Sequence, residues 1–309
     1  MLWLVLGVAA WPHHAAAVSS EPRAYDANLV RELDERGTQN VFLIWTTNSS
    51  TLDALAVNCI SSVVATYGKR VYLFANLLQE SDLEVHNWSG AINLVHYKPE
   101  DVMQSTPLAK WYPEHLEELQ KGRFFFSHIT DLMRFSLVYR HGGLYLDSDV
   151  LVIRPISASK INKLTRSRED SRFFECAVVF FSPHHPYLNE VLTHITEHYD
   201  VNEWVTAGPK ALTVVYGLTQ NRPQQIPPGA WLGLRWRHAK LVFWPTGAVR
   251  AEDFEGCEVI HMWGSVPRGY IKQEAKVDLT GKTAELLVQE RIRTLRNVPA
   301  CRVGAGPVN

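Results

Sequence analysis

Asp147 and Asp149 stand two residues apart just after an apolar run, Leu144-Tyr145-Leu146. Side chains two apart on an extended chain share a side, so these carboxylates can converge on one point. Hard carboxylate oxygens suit manganese or magnesium, and such an ion keeps open positions for phosphate oxygens. Releasing a diphosphate from a nucleotide-sugar needs that arrangement. A divalent ion bridging the two phosphates stabilises the negative charge as it develops, and no protein acid is required on the leaving group. An Asp-x-Asp alone is equally the signature of a strand-ending turn. The residues leading up to it make the pattern specific. Asp131 and Arg134 are three apart and share a helical face. Gly142-Gly143 then stops the helix, and a strand carries the acid pair to its carboxyl end, the edge where ligands bind in open α/β sheets.

The elements that must hold these residues follow from periodicity. Val41-Phe42-Leu43-Ile44-Trp45 is an apolar run rich in strand formers. Leu52, Leu55, Ala56, Cys59, Ile60 and Val63 recur at helical spacing up to Gly68, and Val71-Tyr72-Leu73-Phe74 is a second strand. Together they make a βαβ unit, which implies parallel pairing in a sheet covered by helices. Further expectations are a strand over 92–96, loop and short helix over 99–122 punctuated by prolines, and a helix over 127–141 with Ser127 as its N-cap. A strand over 144–153, a polar surface loop over 157–172, a strand over 173–181 and a helix over 186–199 follow. An amphipathic helix near 283–295 comes last.

Composition narrows the function classes. The chain has 309 residues, 46% apolar and 20% charged, enough for one large domain or two lobes sharing a core. With 31 basic against 32 acidic residues, no basic excess argues for a nucleic-acid partner. The ten tryptophans suit a carbohydrate site, where sugars present apolar faces to rings, although most large rings fill cores. The run Leu2–Trp11, stopped by Pro12, is too short to cross a bilayer, which takes ~20 residues. It reads as a signal-peptide core with Ala15-Ala16-Ala17 for cleavage, or as a shortened membrane anchor. Asn48-Ser49-Ser50 and Asn87-Trp88-Ser89 are glycosylation acceptors that point to a lumenal location. Cys59, Cys176, Cys257 and Cys301 allow two disulfides in three pairings, Cys257–Cys301 being a plausible one.

On these motifs the chain resembles the DXD-motif glycosyltransferase family that includes lactosylceramide α-1,4-galactosyltransferase and α-1,4-N-acetylglucosaminyltransferase. The resemblance runs from Val41 to Trp263. Ser105–Tyr112, the Asp131–Pro155 block, Ala177–Phe181 with His185-Pro186, Ala207-Gly208-Pro209 and Val259–Trp263 carry it. It implies an α/β fold of the GT-A type, Rossmann-like, with a mostly parallel sheet, flanking helices and a smaller acceptor-side region. It also implies a UDP-sugar donor, manganese dependence with magnesium as the alternative, and retention of anomeric configuration. Asp147 and Asp149 look like the metal- and ribose-contacting acids, Asp131 and Arg134 like the pair that holds donor-sugar hydroxyls, and Tyr145 packs near the donor. His261 and Trp263 resemble the late segment that returns to the diphosphate and metal. His261 reads equally as a core histidine from its apolar neighbours. Trp45, followed by Thr46, stands where distant relatives place a ring on uracil. Relatives carry Asn where Glu175 stands and a polar or His residue where Thr206 stands, with Lys210 following Pro209.

The implied organisation is a signal peptide or anchor over 1–17, a stem over 18–36, a nucleotide-sugar half over 37–156 and an acceptor-side half over 157–309. The expected partners are a UDP-sugar and a glycolipid or glycoprotein glycan, in the Golgi or secreted, with membrane association through the N-terminal segment. Retention allows two routes: a covalent intermediate, for which Glu175 is the sequence's candidate nucleophile, or attack on the face that UDP leaves. The second is preferred, with Glu175 otherwise a solvated or salt-bridged surface acid. A metal-dependent UDP-sugar hydrolase and an inactive glycan-binding homologue are the competing functions.

Overall fold

The computed structural model describes residues 21–166, 171–227, 239, 254 and 256–264. In chain order the elements are β1 (Arg23–Ala24), α1 (Ala27–Arg36), β2 (Val41–Ile44), α2 (Ala54–Tyr67), β3 (Val71–Phe74), α3 (Glu80–Val85), β4 (Asn93–His96), α4 (Pro99–Met103), α5 (Leu108–Lys121) and α6 (Phe125–His141). Then follow β5 (Gly143–Leu146), β6 (Val150–Val152), β7 (Lys163–Thr165), β8 (Val178–Phe181), α7 (Pro186–His198), α8 (Ala211–Leu218), β9 (Gln224–Ile226) and β10 (Val259–His261).

The main sheet has the order β1-β4-β3-β2-β5-β8. All its pairings are parallel except the last, where β5 and β8 run antiparallel. This is the α/β class with a mostly parallel sheet that the βαβ pattern predicts. Strands β2, β3, β5 and β8 are buried on both faces, which is why they read as continuous apolar runs. Alternate residues still divide between two cores. Phe42, Ile44, Tyr72, Phe74 and Tyr145 pack with residues of α1, α5, α6 and α7. Val41, Leu43, Val71, Leu73, Leu144 and Leu146 pack with Ile60, Val63 and Val64 of α2 and with Val150 and Val152 of β6.

The chain runs from β2 outward to β3 and β4, then returns to place β5 on the other side of β2. The carboxyl ends of β2 and β5 therefore flank the topological switch point, where a crevice opens in sheets of this kind. α6 makes the return and is joined to β5 through Gly142, with its φ of 67°, so helix and strand run in opposite directions. Gly143 follows at φ 116°, and a Cβ there would lie 2.5 Å from the Asn40 carbonyl oxygen. Only glycine lets the strand enter the sheet so close to its neighbour.

Several elements depart from their expected form. The stretch read as a stem is part of the fold from Arg23 onward. β1 pairs with β4, Asp26 caps α1 by accepting from Asn28 N and Leu29 N, and Leu29 and Leu33 are buried. Its polar residues are the solvent face of an amphipathic helix. Residues 99–122 hold two helices, the second continuing through Pro113 while Leu108, Trp111, Tyr112 and Leu119 anchor it in the core. α6 starts at Phe125, so Ser127 lies inside it and is not its cap. The strand expected over 144–153 is two strands, β5 and β6, broken at the acid pair. The polar loop over 157–172 contains β7, which pairs in parallel with β9.

Cys59, Cys176 and Cys257 are buried, and no disulfide links any two of them. Asn48 and Asn87, the glycosylation candidates, are both exposed. Cys301, the N-terminal leader or anchor and the helix near 283–295 lie outside the described residues, and no described helix is long and apolar enough to cross a membrane.

Candidate active site

The acid pair sits on a turn at the carboxyl end of β5. Asp147 N donates to the Ala177 carbonyl (2.8 Å), extending the ladder to β8 by one residue, and Val150 N then donates to the Asp147 carbonyl (3.0 Å). The turn lifts Asp147, Ser148 and Asp149 out of the sheet, and their backbone breaks the long strand in two. β6 leaves toward β10, an antiparallel partner that pairs His261 with Val150. Met262 N donates to the Asp149 carbonyl (2.9 Å) and Gly264 N to Asp149 Oδ2 (2.7 Å). His261 Nε2 thereby comes within 3.4 Å of Asp149 Oδ1. One ligand atom each from Asp147, Asp149 and His261 lies within 4.8 Å of the others. Two carboxylates and an imidazole are a donor set that manganese or magnesium accepts. The two acids are partly open, at 23% and 20% side-chain exposure.

Arg134 anchors the other side. Its Nη2 lies 3.0 Å from Asp147 Oδ1 and 3.2 Å from Asp131 Oδ1, and its Nη1 donates to Asp147 Oδ2 (3.2 Å). Nη1 also donates to the Cys176 carbonyl (2.7 Å), and the guanidinium lies over the Tyr145 ring, 4.6 Å from its centre. The Tyr145 hydroxyl donates to Asp147 Oδ1 (2.6 Å). Burial opposes the Arg134 charge, but Asp147 foremost raises its pKa above the ordinary value. Burial drives the Asp131 carboxyl up to about 6; Arg134 opposes the rise and Asp147 adds to it. Asp131 also faces the wide helical turn Thr206–Lys210, where a Cβ on Gly208 would fall 2.6 Å from Asp131 Oδ2. The glycine of Ala207-Gly208-Pro209 is thus the space that Asp131 occupies. Burial favours a neutral His261, yet Asp149 and then Glu175 carry its pKa up to about 10 in the absence of a metal.

The sequence singled out Asp131, Arg134, Tyr145, Asp147, Asp149, His261 and Glu175, and the fold brings them together. Glu175 is buried rather than a surface acid, because its backbone N–H donates to the Thr165 carbonyl on β7 (3.0 Å). Its Oε2 lies 3.8 Å from His261 Nδ1, a buried atom with no hydrogen-bond partner among the described residues. Trp263 stacks on His261, ring centres 4.0 Å apart, in a left-handed backbone conformation (φ 52°). Trp45 and Thr46 follow β2 at the same sheet edge, where Trp45 Nε1 donates to the Asn48 carbonyl (3.3 Å) and the ring packs against the α2-side core. They lie on the rim, outside the hydrogen-bonded cluster. The sequence marks Cys176 only as a disulfide candidate. Its carbonyl and thiol both receive Arg134 Nη1, at 2.7 and 3.3 Å. A backbone acceptor leaves no trace in residue type, so nothing in the sequence marks it.

An acid pair on a turn at the switch point of a mostly parallel α/β sheet is an arrangement that can hold a divalent ion beside a bound ligand. Residues 68–169 match the family described as Glycosyltransferase sugar-binding region containing DXD motif. That span includes Asp131, Arg134, Tyr145, Asp147 and Asp149. Among individual proteins the chain is similar to human Alpha-1,4-N-acetylglucosaminyltransferase, 31% identical over 127 residues, or 40% of this chain and 36% of that one. It is similar to Lactosylceramide 4-alpha-galactosyltransferase of Rattus norvegicus, 24% identical over 183 residues, or 55% of this chain and 49% of the relative. The matches thus span about half or less of the length of these relatives, which are α-1,4-glycosyltransferases. Among solved structures, PaToxG Glycosyltransferase aligns over 87% of this chain and 91% of its own, at TM-score 0.45 and 12% identity.

Proposed function

We propose that this protein is a retaining UDP-sugar-dependent glycosyltransferase of the GT-A type. It transfers a hexose or N-acetylhexosamine, galactose foremost, in α-1,4 linkage to a glycolipid or glycoprotein glycan in the Golgi lumen. The observation that carries this reading is the convergence of Asp147, Asp149 and His261 at the carboxyl end of β5, beside the buried Arg134. Asp147, Asp149 and His261 would hold manganese or magnesium, which, when bound, neutralises the charge of the departing diphosphate.

The chain's own residues set up that site. Arg134 and Tyr145 fix the Asp147 carboxylate from two directions, leaving it one orientation. Backbone N–H of Gly264 fixes Asp149. Asp131 and Arg134 take the role of donor-sugar holders in this reading. Their 5% and 6% side-chain exposure adds a second role, that of a buried brace for Asp147. Trp45 and Thr46 on the rim suit the uracil, and Trp263 the diphosphate side. Glu175 serves as the carboxylate behind His261, the kind of outer partner that orients a ligating imidazole. That position leaves the preferred chemistry to attack on the face that UDP vacates.

The test is UDP release by the purified full chain with manganese. UDP-galactose, UDP-GalNAc, UDP-GlcNAc and UDP-glucose are each supplied with and without a β-galactoside-ended acceptor. Acceptor-dependent release is expected. Equal release without acceptor makes the protein a hydrolase, and no response to nucleotide or manganese overturns the assignment.

A further inference from the structure

The site above accounts for a donor and leaves the acceptor without a surface. Arg134 is level with Asp147 at the carboxyl edge of the sheet, so the turns of α6 before it rise beyond that edge. Ser127, Asp131 and Arg134 lie at i, i+4 and i+7 and form one stripe on the helix. At 1.5 Å per residue, Ser127 stands ~6 Å past Asp131 and ~10 Å past Arg134.

At that height a ring is held out to solvent. Trp204 is 53% exposed, and its Nε1 donates to Ser127 Oγ (3.0 Å). Phe126, the preceding residue on α6, is 58% exposed. The segment carrying Trp204 is firmly fixed. His128 donates from Nε2 to the Glu203 carbonyl (3.2 Å) and accepts at Nδ1 from the Tyr199 hydroxyl (2.6 Å). Tyr199 packs edge-on against Trp111, and Glu203 is ion-paired to Lys210. The same segment runs straight into the turn whose Gly208 lies against Asp131. An indole tied by its edge, with its loop pinned from both sides, loses little freedom when something stacks on its face.

We propose that Trp204 is the platform for a pyranose ring of the acceptor, one unit removed from the sugar that reacts. The inference rests on the reading of the cleft as a glycosyl-transfer site. It adds the acceptor class: an oligosaccharide of at least two units whose non-terminal ring presents an apolar C–H face. A large apolar surface with one polar edge satisfied suits such a ligand, as amphipathic aromatics do at wet interfaces generally. The ~6 Å rise along α6 from Asp131 to Ser127 puts the platform beyond the sugar that Asp131 and Arg134 hold in this reading, on the side from which an acceptor extends.

The experiment uses the full chain and two readouts. Binding of methyl β-galactoside, lactose and a β-galactoside-ended trisaccharide is measured by ligand-observed NMR for the wild type, Trp204→Ala and Trp204→Phe. The transfer rate to each acceptor is measured alongside. The wild type is expected to prefer the longer sugars. That preference is expected to fall about tenfold in Trp204→Ala and to be largely restored in Trp204→Phe, which keeps a ring and loses only the bond to Ser127. A preference unchanged in Trp204→Ala overturns the inference, as does a wild type that binds no oligosaccharide. A protein that binds the longer sugars through Trp204 yet ignores UDP and manganese keeps the platform and loses the transferase reading, so the two can fail separately.

Discussion

The two aspartates of the turn are alike in sequence and unlike in surroundings. Asp147 faces inward: a guanidinium engages both its oxygens, a tyrosine hydroxyl donates to one, and its side chain is tied to the first half of the chain. Asp149 faces the C-terminal segment. Among the described residues its partners include a backbone N–H and the imidazole of His261, brought in by a strand more than a hundred residues later. Asp147 belongs to a structural brace that also presents an oxygen to the cleft, whereas Asp149 belongs to the cleft first. In the proposed reading the two-residue motif divides its labour, one acid mainly bracing the fold and the other mainly holding the ion.

Alanine at each position is the strongest way to break that comparison. Asp149→Ala is expected to lower transfer about a thousandfold, since several kcal/mol of charge stabilisation go with the ion. Its urea midpoint should fall less than that of Asp147→Ala, because the buried His261 that loses Asp149 can shed its proton and become neutral, which Arg134 cannot. Asp147→Ala should lose as much activity and in addition ~3 kcal/mol of stability, because Arg134 is left buried with half its charge uncompensated. Equal midpoints for the two variants would remove the distinction.

The brace also predicts a pH dependence. Asp131 has its folded pKa raised to about 6 from an ordinary 3.8, mainly by burial. Folding therefore takes up a proton between these values. The contribution is fully present below about 3.8 and is lost as pH rises through about 6, by roughly 2–3 kcal/mol. Urea denaturation at pH 4 and pH 7.5 reads it. Asp131→Asn, which imitates the protonated group, should show a flatter difference between the two pH values, and an identical difference would place the titration elsewhere.

The smallest effect belongs to the outer shell of the Asp149 side. Glu175→Gln keeps an oxygen toward His261 Nδ1 and should leave substantial activity, with manganese affinity, followed by electron paramagnetic resonance, weakened tenfold or less. Near-complete loss with a trapped sugar–enzyme adduct would instead make Glu175 a nucleophile.

What could be read from sequence divides along the same line. Asp131, Arg134, Tyr145 and Asp147 were legible because helix and strand periods fix neighbours within some twenty residues. His261 was ambiguous because its partner is set by β6–β10 pairing, which no local period encodes. The βαβ start was legible from its apolar spacing and Gly68. The helix of α5 was not, because Pro113 reads as punctuation while the burial of Trp111, Tyr112 and Leu119 overrides it. The break between β5 and β6 was hidden by apolar residues on both sides of the acids. Hydrophobicity reports burial, and here the backbone turns inside a buried stretch.

The clasp formed by Met262 and Gly264 on Asp149 spans up to 115 residues. During synthesis the sheet and the brace can assemble while the pocket still lacks its imidazole. The three-residue metal site proposed above is complete only when residues 259–264 are in place, so a nascent or clipped chain that lacks them would keep its scaffold while losing the site.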